Sequence, residues 1–209
     1  EHFWCEPYKQ IKPVTLKEPI ILGSIESALV QLECLVERVL TDGKFPMVFG
    51  GEHSITPGAI RPFVARHEQL VLLHFDAHAD LRDGYLGERY SHASAIRRCL
   101  DYPNVSVVSL GIRNISQSEL SFYEANKDRV HIFWAKDKPR CDLEALKPLL
   151  ESKTVYLTFD VDGFDASLMP ATGTPEPGGL FWDEVMSVLE FAREACNIAG
   201  ADVNELAPI

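Results

Sequence analysis

Apolar residues recur at helical spacing between Ser24 and Leu40 (Ile25, Ala28, Leu29, Leu32, Val36, Val39), which predicts a helix with one buried stripe. Ser24 is its expected N-cap, a weak one because Ser24-Ile-Glu-Ser places no Glu at the capping-box position. Thr41-Asp-Gly43 ends it, with Gly43 supplying a left-handed stop. Residues 1–20 show no period and read as loop. Phe45–Phe49 is a short strand, and the paired glycines of Gly50-Gly-Glu-His-Ser54 are expected to turn the chain sharply and leave His53 at the strand end. A helix over residues 60–67 then leads to Leu70-Val-Leu-Leu73, a run with the length and composition of a buried parallel strand. Beyond it the pattern predicts helices over 91–100, 116–126, 143–150 and 182–194, and strands over 105–110, 130–134, 154–159 and 198–203. Strand and helix alternate throughout. This is the pattern of an α/β fold, a three-layer α/β/α arrangement with a mainly parallel sheet covered on both faces, in one domain over residues 1–209. Ligand sites in such sheets lie beyond the carboxyl ends of the strands.

Those strand ends carry the polar residues. His74-Phe-Asp-Ala-His-Ala-Asp80 follows the Leu70 strand, and continued period-2 alternation would point Asp76, His78 and Asp80 the same way. Asp160 and Asp162, two apart after another strand, would share a face, and His53 and Glu205 follow two more. His53, Asp76, His78, Asp80, Asp160 and Asp162 thus offer a set of oxygen and imidazole ligands suited to Mn²⁺, with Zn²⁺ the other candidate. Six ligands exceed the needs of one cation, whereas bridging carboxylates between two divalent ions resolve the count and the repulsion. His74 is expected to be buried support for this site rather than a ligand, and Asp165 to brace the following Pro/Gly loop.

Composition narrows the class. A net charge of −11 argues against a nucleic-acid partner, and no apolar run approaches the length of a membrane span. Five cysteines without C-x-x-C spacing suit reduced thiols in a cytoplasmic protein.

Gly50-Gly-Glu-His-Ser54, Phe75-Asp-Ala-His-Ala-Asp80 and Thr158-Phe-Asp-Val-Asp-Gly-Phe-Asp165, the last followed by Pro170-Ala-Thr-Gly-Thr-Pro-Glu-Pro-Gly-Gly179, resemble in order the three signatures of the ureohydrolase (arginase/agmatinase) family. Residues 82–92, the Gly111-Ile-Arg113 turn and Gly200–Pro208 resemble its agmatinase branch. The resemblance implies an arginase/deacetylase-like fold and two Mn²⁺ per chain. One ion would be held by His53, Asp76, Asp80 and Asp160, the other by His78, Asp76, Asp160 and Asp162, so that Asp76 and Asp160 bridge. It also implies a proton shuttle at His92, a guanidinium pocket lined by Thr174 and Glu205, and a homo-oligomer, trimer or hexamer. The implied reaction is that of a metal-dependent hydrolase of linear amidines: a metal-bridging hydroxide attacks the guanidino carbon of agmatine, Glu205 orients the cationic group, His92 relays a proton, and putrescine and urea form, a step of polyamine biosynthesis. Guanidinobutyrate, arginine or another small cationic guanidino compound is the alternative substrate. A zinc deacetylase would need fewer ligands around a single ion, and a truncated member without turnover is the reading outside enzymes. Glu52 stands where many members have Asp, and Ala166 where a Pro is common. Members usually carry another strand before this region and a helix beyond Pro208, so the chain is expected to be either a fragment or a short member whose sheet is incomplete at the ends.

Overall fold

In the computed structural model, which describes residues 6–140 and 143–208, the apolar runs become six strands. They are β1 (Met47–Phe49), β2 (Leu70–Phe75), β3 (Val105–Ile112), β4 (Val130–Trp134), β5 (Thr154–Asp160) and β6 (Asn197–Asn204). They form one sheet in the order β1-β6-β5-β2-β3-β4, and every neighbouring pair is parallel. The helices are α1 (Pro7–Ile11), α2 (Ile25–Thr41), α3 (Thr56–Ala59), α4 (Arg61–Arg66), α5 (Ala95–Cys99), α6 (Gln117–Ala125), α7 (Leu143–Leu150) and α8 (Trp182–Ala195).

Alternation along β2 explains the layers. Leu70 and Leu72 face a core built with Val36 of α2, Phe63 of α4 and Ile96 of α5. Val71, Leu73 and Phe75 face the opposite core, with Leu146 and Leu150 of α7 and Val185 and Val188 of α8. All six β2 residues are buried, as a central parallel strand requires. At the far edge, β1 pairs only with β6 among the described residues, and its Phe49 side chain is 75% exposed.

Helix ends follow local chemistry. Ser24 caps α2 by accepting from the Ser27 N–H at a long 3.4 Å, and Gly43 has φ +67° just beyond it. Ser116 and Glu119 form a capping box at α6. Three expectations are corrected. Residues 7–11 are helical rather than loop, while residues 1–5 lie outside the described residues. The helix expected over 60–67 starts earlier, through a 3₁₀ turn at His53–Ile55 and α3, and is interrupted before Pro62, which has no N–H to continue the ladder. Gly50 and Gly51 keep ordinary negative φ. What Gly50 supplies is space, since a Cβ there would sit 2.4 Å from Asn204 Oδ1 and from Ile55 Cδ1.

From β1 at one edge the chain crosses to β2, winds outward through β3 and β4, then returns to β5 on the other side of β2 and places β6 between β5 and β1, so the switch point lies between β5 and β2. The polar strand ends gather there. Among the described residues no helix is long and apolar enough to cross a membrane. Cys34, Cys99 and Cys196 are free thiols, and Cys5 and Cys141 lie outside the described residues.

Candidate metal centre

β2 ends at Phe75, so Asp76, His78 and Asp80 do not continue its pleat, contrary to the period-2 expectation. Their convergence has other causes. Asp76 Oδ1 accepts from the His78 N–H at 2.6 Å, folding the segment into a local turn. Asp80 adopts φ +52°, a left-handed backbone that a non-glycine residue holds only when its surroundings impose it. The Ala77 carbonyl accepts from the N–H groups of Arg113 and Asn114, tying the turn to the end of β3. From the β5 side, Gly163 lets the Asp160–Gly163 turn pass so close that a Cβ there would lie 2.8 Å from the Asp76 nitrogen.

His53 is fully buried, and its Nδ1 has no hydrogen bond of proper geometry. Three carboxylate oxygens surround that nitrogen: Asp76 Oδ2 at 3.1 Å, Asp80 Oδ2 at 3.2 Å and Asp160 Oδ2 at 3.5 Å. A second group forms around His78, whose Nδ1 lies 3.0 Å from Asp162 Oδ2 and 3.5 Å from Asp76 Oδ1. Asp76 therefore faces both histidines, one oxygen to each. Asp160 faces His53 and accepts the Asp162 N–H on its other oxygen at 2.9 Å. A buried imidazole nitrogen without a proper donor or acceptor, ringed by carboxylates, fits a divalent cation. The ligand atoms of His53, His74 and Asp76, and those of Asp76, His78 and Asp162, lie close enough for each trio to hold an ion. His74 already uses both ring nitrogens, Nδ1 with Ser109 Oγ at 2.9 Å and Nε2 with Asp76 Oδ2 at 2.8 Å, and so supports Asp76 from below.

The electrostatics show the crowding. Burial raises the Asp80 carboxyl to about 6 with help from the Asp76 charge, and the same two causes raise Asp160. Burial opposes charge on His78, but Asp162 and Asp76 outweigh it and push the imidazole up to about 11. At His53 burial is likewise overcome, by Asp160, Asp76 and Asp80, and its pKa rises. At Asp76 burial is outweighed by the neighbouring imidazoles of His53, His74 and His78, so its carboxyl lies low. Asp80 and His78 both bind protons more tightly folded than unfolded, so each contributes stability below its unfolded pKa that is lost as pH rises through its folded one. For Asp80 that window runs from 3.8 to about 6, and for His78 from 6.5 to about 11. The metal-free chain is expected to lose thermal stability as pH rises from 5 to 9, and Mn²⁺ to restore it most at the upper end. Melting curves with and without Mn²⁺ across this range check both signs.

Glu205, at φ +64°, accepts the His53 N–H on Oε1 at 2.7 Å, and its own N–H binds the Gly51 carbonyl at 2.7 Å. Thr174 donates its hydroxyl to Asp162 Oδ2 at 3.1 Å, fastening the Pro/Gly loop to the centre. Asp165 braces that loop as expected, accepting from Ser167, Gly178 and Gly179, and hydrogen bonds led by the Ser167 hydroxyl hold its carboxyl well below the usual range. His92 stands half exposed with Nδ1 3.0 Å from Glu52 Oε1, and Ser54 donates to the other oxygen of Glu52 at 2.6 Å. Glu52, His78, Tyr85, His92, Thr174 and Glu205 border one cleft of about 390 Å³.

Sequence reasoning gave no role to four residues that shape this site. Glu52 holds His92. Glu119, buried, accepts from the Leu81 N–H at 2.8 Å on one oxygen and so pins the end of the ligand segment, while its other oxygen serves the local capping box. Arg113 and Asp202 act through carbonyls and hydroxyls brought together by the fold; both lie in stretches that resemble the agmatinase branch, but no local pattern gives their contacts.

The sequence profile described as the Arginase family matches residues 6–209. The chain belongs to the arginase family. Over 194 residues this arginase-family chain is 37% identical to the agmatinase of Bacillus subtilis (strain 168), covering 91% of the chain and 65% of that protein. It is also 37% identical over 198 residues to the N(1)-aminopropylagmatine ureohydrolase of Synechocystis sp. (strain ATCC 27184 / PCC 6803 / Kazusa), covering 92% and 62%. The crystal structure of the agmatine ureohydrolase of Thermoplasma volcanium superposes with a TM-score of 0.75 at 33% identity, covering 88% of the chain and 61% of that protein. The chain thus spans somewhat less than two thirds of the length of these relatives, and the α/β fold is the one they share.

Proposed function

We propose that the chain is a binuclear manganese amidinohydrolase that cleaves agmatine to putrescine and urea. The observation carrying this reading is Asp76, whose two oxygens face His53 and His78 and so can bridge two ions held on either side. Oxygen-rich sets with one imidazole each suit Mn²⁺, and the ligands beyond Asp76 divide as Asp80 and Asp160 with His53, and Asp162 with His78. When bound, such a pair of cations supplies Lewis-acid activation of water near neutral pH.

The chain's own residues handle the substrate. Glu205, with Oε1 fixed by the His53 N–H, offers its carboxylate to a planar guanidinium through charge-assisted hydrogen bonds. Thr174, on the loop wall, lines the same pocket beside Asp162. Glu52 orients His92 through Nδ1, leaving Nε2 to pass a proton to the leaving amine. A cleft bordered by carboxylates favours a cationic substrate, and similarity to agmatinases favours an agmatine tail. Residues 1–209 would act as one catalytic domain in a cytoplasmic homo-oligomer, trimer or hexamer, serving polyamine biosynthesis. Free thiols at Cys34, Cys99 and Cys196 suit that compartment.

Urea release after Mn²⁺ loading, measured side by side on agmatine, guanidinobutyrate and arginine, tests this reading. Agmatine is expected to give the highest kcat/KM by at least about tenfold. Preference for another tail would keep the chemistry and change the substrate. Two bound ions with no urea from any of the three would favour a non-catalytic member.

A further inference from the structure

Beneath the centre lies a buried chain of hydrogen bonds with a fixed direction. Thr158 on β5 stands opposite Asp202 on β6 in the sheet register. The fully buried Asp202 carboxylate accepts from Thr158 Oγ1 at 2.6 Å and Asn204 Nδ2 at 2.7 Å on one oxygen, and from Thr56 Oγ1 at 3.0 Å on the other. A carboxylate only accepts, and a threonine hydroxyl has one proton. That proton goes to Asp202. Thr158 Oγ1, which lies 2.9 Å from His53 Nε2, must therefore accept from the imidazole.

We infer that Thr158 and Asp202 are positioning residues that hold the proton of His53 on Nε2 and so present its Nδ1 lone pair to the cation beside Asp76, Asp80 and Asp160. The inference rests on the metal-centre reading above and adds to it the device that sets one ligand's tautomer and ring angle. Among the described residues no lysine or arginine is paired with Asp202; its three neutral donors satisfy it. Its negative charge is thus relayed through one hydroxyl to the ring, which makes the imidazole a stronger electron donor. The surroundings fix the geometry. Thr56 and Thr158 are both fully buried, Asn204 bonds Asp202 from the end of its own strand, and the three carboxylates wait on the other side of the ring.

The test pairs two substitutions at one position. Thr158→Val keeps the shape and removes the hydroxyl, whereas Thr158→Ser keeps the hydroxyl. Calorimetric titration of metal-free protein with Mn²⁺ is expected to show two sites in the parent. In Thr158→Val one site should weaken by roughly 10–100-fold while the other is kept, which also shows that the variant is folded. Thr158→Ser should restore the weakened site to within about threefold. Nitrogen-15 NMR of metal-free protein should show a His53 Nε2–H protected from solvent exchange in the parent and the serine variant and lost in the valine variant. A valine variant that binds both ions as the parent does and keeps the protected proton would overturn the inference, as would serine and valine variants that are equally weak. If the parent itself takes up no Mn²⁺, the metal-centre reading fails, and the Nε2–H signal still decides the direction of the hydrogen-bond chain.

Discussion

Asp76→Asn is expected to remove tight binding of both Mn²⁺ ions and to lower urea release from agmatine by on the order of 10³-fold, about 4 kcal/mol in the barrier. The size of the effect follows from position. Asp76 is fully buried, its Oδ2 lies 3.1 Å from His53 Nδ1, and its Oδ1 lies 3.5 Å from His78 Nδ1. An amide keeps the volume and one acceptor but removes the charge that both ions would share. In the metal-free chain the substitution removes the repulsion that helps hold the carboxyls of Asp80 and Asp160 high, but also the charge that His53, His74 and His78 share. Lost metal binding with a melting temperature without metal no higher than the parent's is therefore the expected combination. Elemental analysis after dialysis against Mn²⁺, with melting curves of the metal-free protein, measures both. A variant that still retains two ions per chain would contradict the bridging role.

Arg113→Met is expected to destabilise the fold by about 3 kcal/mol, lowering the melting temperature by roughly 6–12 °C. The Arg113 guanidinium donates to the carbonyls of Gly111 at 2.9 Å, Asp162 at 2.7 Å, Phe164 at 3.1 Å and Glu176 at 2.8 Å. It thereby joins the end of β3 to the turn carrying Asp162 and to the Pro/Gly loop carrying Thr174. Burial lowers its pKa only against the pull of nearby carboxylates, led by Asp162, so the side chain keeps its charge there. Methionine fills similar space and leaves those carbonyls without their donor. Arg113→Lys should recover only part of the loss, since a single ammonium cannot reproduce the planar fork. Urea denaturation gives the stability. An accompanying rise in KM larger than the fall in kcat would report the loosened loop. A methionine variant as stable as the parent would mean that water replaces the guanidinium at little cost.

Strong local patterns were legible and long-range pairings were not. The bounds of β4 and α7 coincide with those read from the sequence: β4 is a short, mostly apolar run, and α7 keeps its leucines at helical spacing despite Pro148. The α3 start was missed because Thr56-Pro57 reads as an interruption, whereas proline is well tolerated in a first helical turn. His53, Asp76, His78, Asp80, Asp160 and Asp162 could be picked out together, since each follows a strand and all six are unusual in a core. The reason given for their convergence was wrong for Asp76–Asp80: the strand stops, and a side-chain-closed turn with a left-handed Asp80 does what a pleat was expected to do. The contacts of Asp202 and Arg113 are hidden in sequence for a different reason, although both lie in stretches that carry the resemblance. The partners of Asp202 include Thr56 and Thr158, and those of Arg113 include Asp162 and Glu176, all brought near only by strand register and loop return. Glu52 stands out in sequence as a departure, but its hold on His92, 40 positions away, is set by the fold.

Anomalous diffraction at the manganese edge from crystals grown with Mn²⁺ tests the two-ion centre most directly. Two peaks are expected, roughly 3.5–4 Å apart. One should lie among His53, Asp80 and Asp160, the other beside His78 and Asp162, with Asp76 between them. A single peak, or a pair away from Asp76, would contradict a binuclear centre bridged by that carboxylate.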